Sequence, residues 1–125
     1  MEAKAQVERR QEKRFRVNRG ALVMLKPPDA GIGRLIGISM GGLTFEHLTS
    51  QRAPFEATQL DILITGSGFR LQDMPCRSIW NLAMYEKPLA PLYKTRYGVQ
   101  FGALTPVQIR LLEYLVQNHT TGEVD

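Results

Sequence analysis

Short runs of extended-type residues, separated by glycine and proline turns, constrain the fold of this chain more than any other feature of its sequence. In one run, Leu60, Ile62 and Ile64 occupy every second position, as on a strand with one buried face. The turn Gly66-Ser67-Gly68 follows directly, and glycine tolerates the backbone angles of a tight turn. Segments of this kind predict six strands, at residues 15–25, 33–39, 43–48, 60–64, 69–85 and 96–101.

The longest of these segments, 69–85, predicts one extended strand with a bend near Pro75. Alternation assigns its residues to two faces of the sheet. One face carries Met74, Cys76, Ser78, Trp80 and Leu82, and the other carries Arg77 and Asn81.

The last element is a helix whose start is marked by three residues. Thr105 suits the N-cap, Pro106 the first helical position and Gln108 the third, which together form a capping box. Six strands and one amphipathic helix predict a mainly β fold, a six-stranded antiparallel β-barrel with the C-terminal α-helix over one opening. The apolar face of the helix is predicted from Ile109, Leu112, Leu115 and Val116.

Positive charge is concentrated before the first strand. Residues 1–19 hold seven of the 16 Lys and Arg residues and three of the 12 Asp and Glu residues, so this segment carries the whole net charge of +4. We therefore predict one domain in three parts: a flexible basic arm at 1–14, the barrel at 15–104 and the helix at 105–119. A basic arm on a neutral body favours an anionic partner, such as nucleic acid, an anionic membrane or a small phosphorylated ligand.

Two arginines in the arm help to choose among these partners. Arg10 and Arg14 are four residues apart and so lie on one face of either a helix or a strand. Neighbouring guanidinium groups suit phosphates or the O6/N7 edge of guanine, because both accept paired hydrogen bonds. The alternative is a solvated leader without a ligand.

Several classes of protein are disfavoured by the sequence. The first residues lack the apolar core of a signal peptide and no apolar run is long enough to cross a bilayer, so we expect a cytoplasmic protein without membrane insertion. His47 and His119 lie far apart without neighbouring metal ligands, which predicts no metal site. The segment 37–41 matches the Gly-x-Ser-x-Gly pattern of serine hydrolases, but a strand is predicted where a helix should follow the serine. We therefore expect no catalytic residues and no enzyme activity.

Two motifs become specific in combination. Arg10-x-x-x-Arg14 lies in the basic arm, and Gly37-x-Ser39-x-x-Gly42 lies on the hairpin that follows. With the segment 97–101 and the helix that begins at Thr105, they resemble the PilZ domain family, which pairs an Arg-x-x-x-Arg arm with an Asp/Asn-x-Ser-x-x-Gly hairpin. The resemblance covers nearly the whole chain. It implies a PilZ-type barrel that binds the bacterial second messenger cyclic di-GMP, without catalysis and without a cofactor.

The same resemblance implies roles for the motif residues. Arg10 and Arg14 would bind phosphate oxygens and guanine edges of the ligand. Ser39 would hydrogen-bond a guanine, and Gly42 would supply the turn geometry. Arg9 holds a position that the family associates with a stacked ligand dimer, although it could equally be a solvated charge. Ligand binding would order the arm and pass the signal to an unidentified protein effector, in motility or exopolysaccharide regulation.

Gly37 departs from the family pattern, which has Asp or Asn at this position. Glycine has no side chain to accept hydrogen bonds from guanine, and a paired contact of this kind is worth about 1–3 kcal/mol. A water molecule or a backbone carbonyl could substitute, or the domain could have lost its ligand and act as an adaptor through protein contacts. A nucleic-acid-binding barrel needs exposed aromatic residues. Because Phe45, Tyr97 and Phe101 share the parity of the core, we expect no DNA binding.

Overall fold

The structure is a computed structural model that describes residues 13–18, 20–26, 31–49, 57–84 and 93–124. Within these residues the chain forms eight strands and a helix. Their bounds are β1 Arg14–Val17, β2 Ala21–Lys26, β3 Ile32–Ile38, β4 Gly42–Thr49, β5 Gln59–Ile64, β6 Phe69–Met84, β7 Tyr93–Phe101, α1 Pro106–Asn118 and β8 Thr120–Val124.

Six of these strands close into a barrel. Their order is β2, β5, β6, β7, β4 and β3, and β2 pairs with β3 to complete an antiparallel ring. The six-stranded antiparallel barrel predicted from the sequence is therefore confirmed. Closure pairs both edges of the sheet, and the inward side chains form an apolar core that includes Val23, Phe45, Ile62, Leu71 and Val99.

The predicted strand 15–25 is divided into two strands. Gly20, with φ of +88°, lies between β1 and β2. β1 is outside the ring and pairs with the second half of β3 on one side and with β8 on the other. Residues 120–124 return to β1 as β8, a strand that the sequence does not predict. Arg14, assigned to the arm from the sequence, is the first residue of β1.

The helix α1 begins at the predicted capping box. The Thr105 hydroxyl accepts a hydrogen bond from the Gln108 amide at 3.1 Å, and the Gln108 side chain accepts one from the Thr105 amide at 2.9 Å. The Gln108 side-chain amide also donates to the carbonyls of Gln72 and Asp73 in β6, at 2.9 and 3.0 Å. The capping residue therefore also ties the helix to the barrel.

The apolar face of α1 is shifted from the one that the sequence predicts. Leu112 and Leu115 are buried and belong to the same core cluster as the barrel interior. Val116 is half-buried against that cluster as predicted, whereas Ile109 is 40% exposed. Leu111, which was not assigned to this face from the sequence, packs against the cluster as well.

A β-bulge in β6 changes which residues face the core. Ser78 lies opposite Val99 and Trp80 lies opposite Gly98, so Ile79 is an extra residue between these pairs. Val99 is buried, and the adjacent pair Gly98 and Trp80 points to the other side of the sheet. The prediction that Trp80 shares a face with Cys76 and Ser78 is therefore wrong, because one inserted residue reverses the alternation.

A second irregularity in β6 is fixed by a buried carboxylate. Asp61 on β5 has a side chain only 1% exposed. It accepts hydrogen bonds from the Asp73 amide at 2.8 Å and from Arg70 at 3.3 Å, and Lys26 lies 3.2 Å away. Burial alone would raise the pKa of Asp61, but these three donors together lower it below its ordinary value. Asp73 has a left-handed φ of +58° at this point, so Asp61 stabilises the local backbone that Gln108 also contacts.

Candidate functional site

The solvent-facing side of β1, β3, β4, β7 and β6, called here the outer face, carries a row of aligned residues. Arg16 lies opposite Gly37, Gly37 opposite Thr44, Thr44 opposite Gly98, and Gly98 opposite Trp80. Neighbouring strands are about 4.8 Å apart, so this row spans about 19 Å. Two of its five positions are glycines: Gly37 leaves a shallow depression beside Arg16, whereas Gly98 is buried under the Trp80 side chain.

The motif residues Arg14 and Ser39 lie next to this row. Arg14 is two positions before Arg16 on β1 and so shares its face, and Ser39 is two positions after Gly37, directly beyond the end of β3. Arg14 and Arg16 are both exposed, while the intervening Phe15 is half-buried against the core. The fold therefore places the second arginine of the arm motif beside the serine of the hairpin motif.

The same side of the hairpin extends to a third arginine, Arg77. Gly42 at the start of β4 lies opposite Gln100 of β7, and Gln100 lies opposite Arg77 of β6. The Arg77 guanidinium donates to the Gln100 side-chain oxygen from Nε at 3.1 Å and from Nη2 at 2.7 Å. Arg77 is therefore held in place across two strands on the outer face.

Ser39 organises the turn between β3 and β4. Its hydroxyl accepts hydrogen bonds from the amides of Gly41 and Gly42, both at 3.2 Å, and donates to the Gly42 carbonyl at 3.3 Å. Its own amide donates to the same carbonyl at 2.8 Å. Ser39 is half-buried rather than fully enclosed, so the residue that holds the turn still borders the outer face.

The two motif glycines differ in what they require. The φ of Gly42 is not positive, so glycine is not required there for a left-handed backbone. Glycine is needed there for close approach: a Cβ atom would overlap the carbonyl oxygen of Val99. At Gly37 a Cβ atom would meet, among the described residues, only the carbonyl oxygen of Phe15, at 3.4 Å. Position 37 therefore has room for a side chain.

Electrostatics make the outer face strongly positive. Among the described residues of this face, Glu46 is a buried carboxylate. It forms salt bridges with Arg34 at 2.7 Å and with Arg96 at 3.0 Å. One carboxylate cannot neutralise both of these arginines together with the exposed pair at 14 and 16 and the arginine at 77. The fold therefore brings arginines from the basic segment 1–19 and from the neutral remainder of the chain together on one face.

Trp80 is a site feature that the sequence pattern hides. Its indole lies flat against Gly98, since a Cβ atom there would overlap the ring, and it is 41% exposed. An exposed aromatic ring beside arginines is a surface on which a base can stack. The aromatic residues weighed from the sequence, Phe45, Tyr97 and Phe101, are buried in the core as expected.

The structure thus brings four of the six sequence-predicted site residues into one area: Arg14, Gly37, Ser39 and Gly42. Arg9 and Arg10 lie outside the described residues. The sequence missed three neighbours, Arg16, Arg77 and Trp80. The strand alternation at residues 14–16 could have indicated that Arg16 shares a face with Arg14. No local pattern reveals the bulge that exposes Trp80.

Comparison with known protein families identifies the family to which this barrel belongs. The family model described as PilZ domain matches residues 8–118. The chain belongs to the PilZ domain family. PilZ domains are ligand-binding receptor or adaptor domains, and the matched range includes the arm motif, the hairpin motif and the helix.

A solved PilZ domain has the same fold. The PilZ domain of YcgR from Escherichia coli, solved with c-di-GMP, matches with a TM-score of 0.69 and 16% identity, over 89% of this chain and 91% of that one. Curated proteins gave no match. In the described ranges of this PilZ domain, no helix is both long and apolar enough to cross a membrane.

Proposed function

We propose that this PilZ domain is a receptor for cyclic di-GMP, which it binds on the outer face with the basic arm closed over the ligand. The observation that carries the proposal is the position of Arg14 beside the Ser39 to Gly42 turn, on a positively charged and solvent-facing surface. The shared fold with a PilZ domain solved with c-di-GMP supports this choice of ligand.

The two phosphates and two guanines of cyclic di-GMP match the groups on this surface. Arg10 and Arg14 donate to phosphate oxygens and to the O6/N7 edge of guanine. Ser39 contacts a guanine from the barrel side, and Gly42 holds the turn close to β7. The indole of Trp80 offers a flat apolar surface for a purine.

Binding is proposed to order the arm and so create a new surface for a partner protein. Arg10 can reach a ligand on the outer face only if the chain before β1 folds across it, which couples ligand occupancy to arm position. Hydrogen exchange of amides 1–14 is expected to slow at saturating cyclic di-GMP. Exchange that is unchanged at saturation would contradict arm ordering while leaving binding itself intact.

Restoring an acceptor at position 37 is expected to strengthen binding. A Cβ atom at position 37 would come no closer than 3.4 Å to the Phe15 carbonyl oxygen, and Gly37→Asp supplies a carboxylate for the guanine N1–H and 2-amino groups, so the Kd for cyclic di-GMP should fall about 10- to 100-fold. Calorimetry measures this beside Gly37→Ala, which adds a Cβ atom without an acceptor. Equal affinities of the two variants would contradict the proposed position of the guanine.

Gly37 also favours a second candidate function, an adaptor that has lost its ligand. Such a domain would use the same barrel and helix for protein contacts alone. It would show no cyclic di-GMP binding, and a protein partner would still bind after Arg10→Ala and Arg14→Ala. A receptor would bind cyclic di-GMP, and its protein partner would no longer bind after Arg10→Ala and Arg14→Ala.

A further inference from the structure

Arg16 lies directly across from the position at which the family motif residue is missing. We propose that Arg16 reads the guanine in this protein, and that it replaces recognition through an acceptor at position 37 with recognition through a donor on β1. The inference rests on the proposed function, because it specifies how the same site selects its base.

The strand register and the exposure of its side chain allow Arg16 to contact a guanine on the outer face. It is paired with Gly37, and Cβ positions of directly opposed residues are about 4.5–5.5 Å apart, well within the reach of an arginine side chain. Its side chain is exposed, and among the described residues its guanidinium makes no ion pair or hydrogen bond. It is therefore available to a ligand on the outer face.

The backbone of Arg16 is held from both sides. β3 pairs with it through Gly37, and β8 pairs with it through Gly122. The Thr121 hydroxyl also donates to the Arg16 carbonyl at 3.4 Å. The backbone of a donor on an interior strand is already ordered before the ligand binds, so binding costs little backbone entropy. A donor on a terminal arm lacks this advantage.

The surface beside Arg16 can accommodate both its side chain and a base. Gly37 presents open space, with the Phe15 carbonyl oxygen at 3.4 Å from a Cβ position, and the next residue along the row is the half-buried Thr44. An arginine extended over Gly37 can therefore reach a base that lies on this part of the outer face. Arg14 remains free on the same face for a phosphate.

The change of residue changes which edge of the base is read. A guanidinium has five N–H donors and no acceptor, so it pairs with O6 and N7 of guanine and cannot bind N1–H or the 2-amino group. A carboxylate at position 37 would read those latter groups instead. The affinity of the wild-type site should therefore depend on O6 of guanine and not on its 2-amino group.

Two ligand analogues separate these possibilities. Cyclic di-IMP lacks the 2-amino group but keeps O6 and N7, so we expect its Kd to lie within about threefold of that of cyclic di-GMP. Cyclic di-AMP presents an amino donor where guanine has O6, so we expect binding at least about tenfold weaker. In the Gly37→Asp variant, cyclic di-IMP should become at least about fivefold weaker than cyclic di-GMP, because one hydrogen bond to the carboxylate is lost.

Variants of Arg16 test the assignment directly. Arg16→Ala should weaken cyclic di-GMP binding about tenfold or more, and Arg16→Lys should restore only part of it, because lysine keeps the charge but not the paired donors. Arg110→Ala, on the exposed surface of α1, removes the same charge and should leave the Kd unchanged. An unchanged melting temperature in Arg16→Ala would show that the exposed side chain is not needed for folding.

A double-mutant cycle gives the sharpest outcome. If Arg16 substitutes for an acceptor at position 37, then Arg16→Ala should cost less in the Gly37→Asp background than in the wild type. Equal binding by wild type and Arg16→Ala, or strong wild-type discrimination against cyclic di-IMP, would overturn the inference while the receptor function stands. Failure of the wild type to bind cyclic di-GMP at all would overturn the proposed function itself.

Discussion

Replacing Arg10 and Arg14 together by alanine is expected to abolish measurable binding of cyclic di-GMP, with an affinity loss of at least about 100-fold. Each guanidinium supplies a charge-assisted, paired contact worth about 1–3 kcal/mol, and the two contacts act on one ligand. Arg14 is exposed and lies beside Ser39, so its removal acts on the site rather than on the core.

The matched control is Lys4→Ala with Arg110→Ala. It removes the same formal charge from positions that the proposed site does not use, so general electrostatic attraction falls equally in both variants. Calorimetry on both, with melting temperatures as a check of folding, separates specific contacts from net charge. Similar weakening in the two variants would mean that the arm acts only through its overall charge.

Asp61→Ala is expected to lower the free energy of unfolding by about 3 kcal/mol at neutral pH. The substitution leaves the Asp73 amide without its acceptor and removes the carboxylate that Lys26 and Arg70 share. It also releases the left-handed residue at which Gln108 ties α1 to β6. Urea unfolding followed by circular dichroism measures the loss.

Asp73→Asn serves as the control, because Asp73 also pairs with Lys26 but its side chain is 62% exposed. Asparagine tolerates the left-handed backbone, so the control should cost well under about 1 kcal/mol. A similar loss in both variants would show that Lys26 pairing, rather than the buried carboxylate, stabilises this region.

The effect of Asp61→Ala should depend on pH in a defined direction. The pKa of Asp61 is lowered in the folded state, so its contribution is fully present above the pKa of an unfolded Asp, about 3.9, and is lost as pH falls through the lowered value. The difference between wild type and variant should therefore shrink below about pH 4. A difference that stays constant down to pH 2 would contradict an ionised Asp61.

The parts of the fold that were predictable from the sequence are those specified locally. The hairpin turn at Ser39 to Gly42 and the capping box at Thr105 each depend on residues within a few positions of one another. Their hydrogen bonds can therefore be inferred from residue type and spacing. Even so, the reason why position 42 requires glycine was not predicted, because the close approach there is to Val99 on another strand.

The parts that the sequence did not reveal depend on distant partners. β8 exists because β1 offers it an edge, and the Thr121 hydroxyl bonds a carbonyl 105 positions earlier. The bulge at Ile79 is defined only by the register of β6 against β7, yet it turns Trp80 from the core to the outer face. Both features shape the site, and both follow from strand pairing rather than from motifs.

Calorimetric titration of the wild-type chain with cyclic di-GMP is the most direct test of the receptor function, with GTP and a single-stranded oligonucleotide as controls. The proposal predicts saturable binding at low-micromolar concentrations or tighter, and no comparable binding of either control. A stoichiometry of two ligands per chain would assign Arg9 to a stacked ligand dimer, and one would leave Arg9 as a solvated charge. No heat and no rise in melting temperature at millimolar cyclic di-GMP would contradict the account and identify the domain as a ligand-free adaptor.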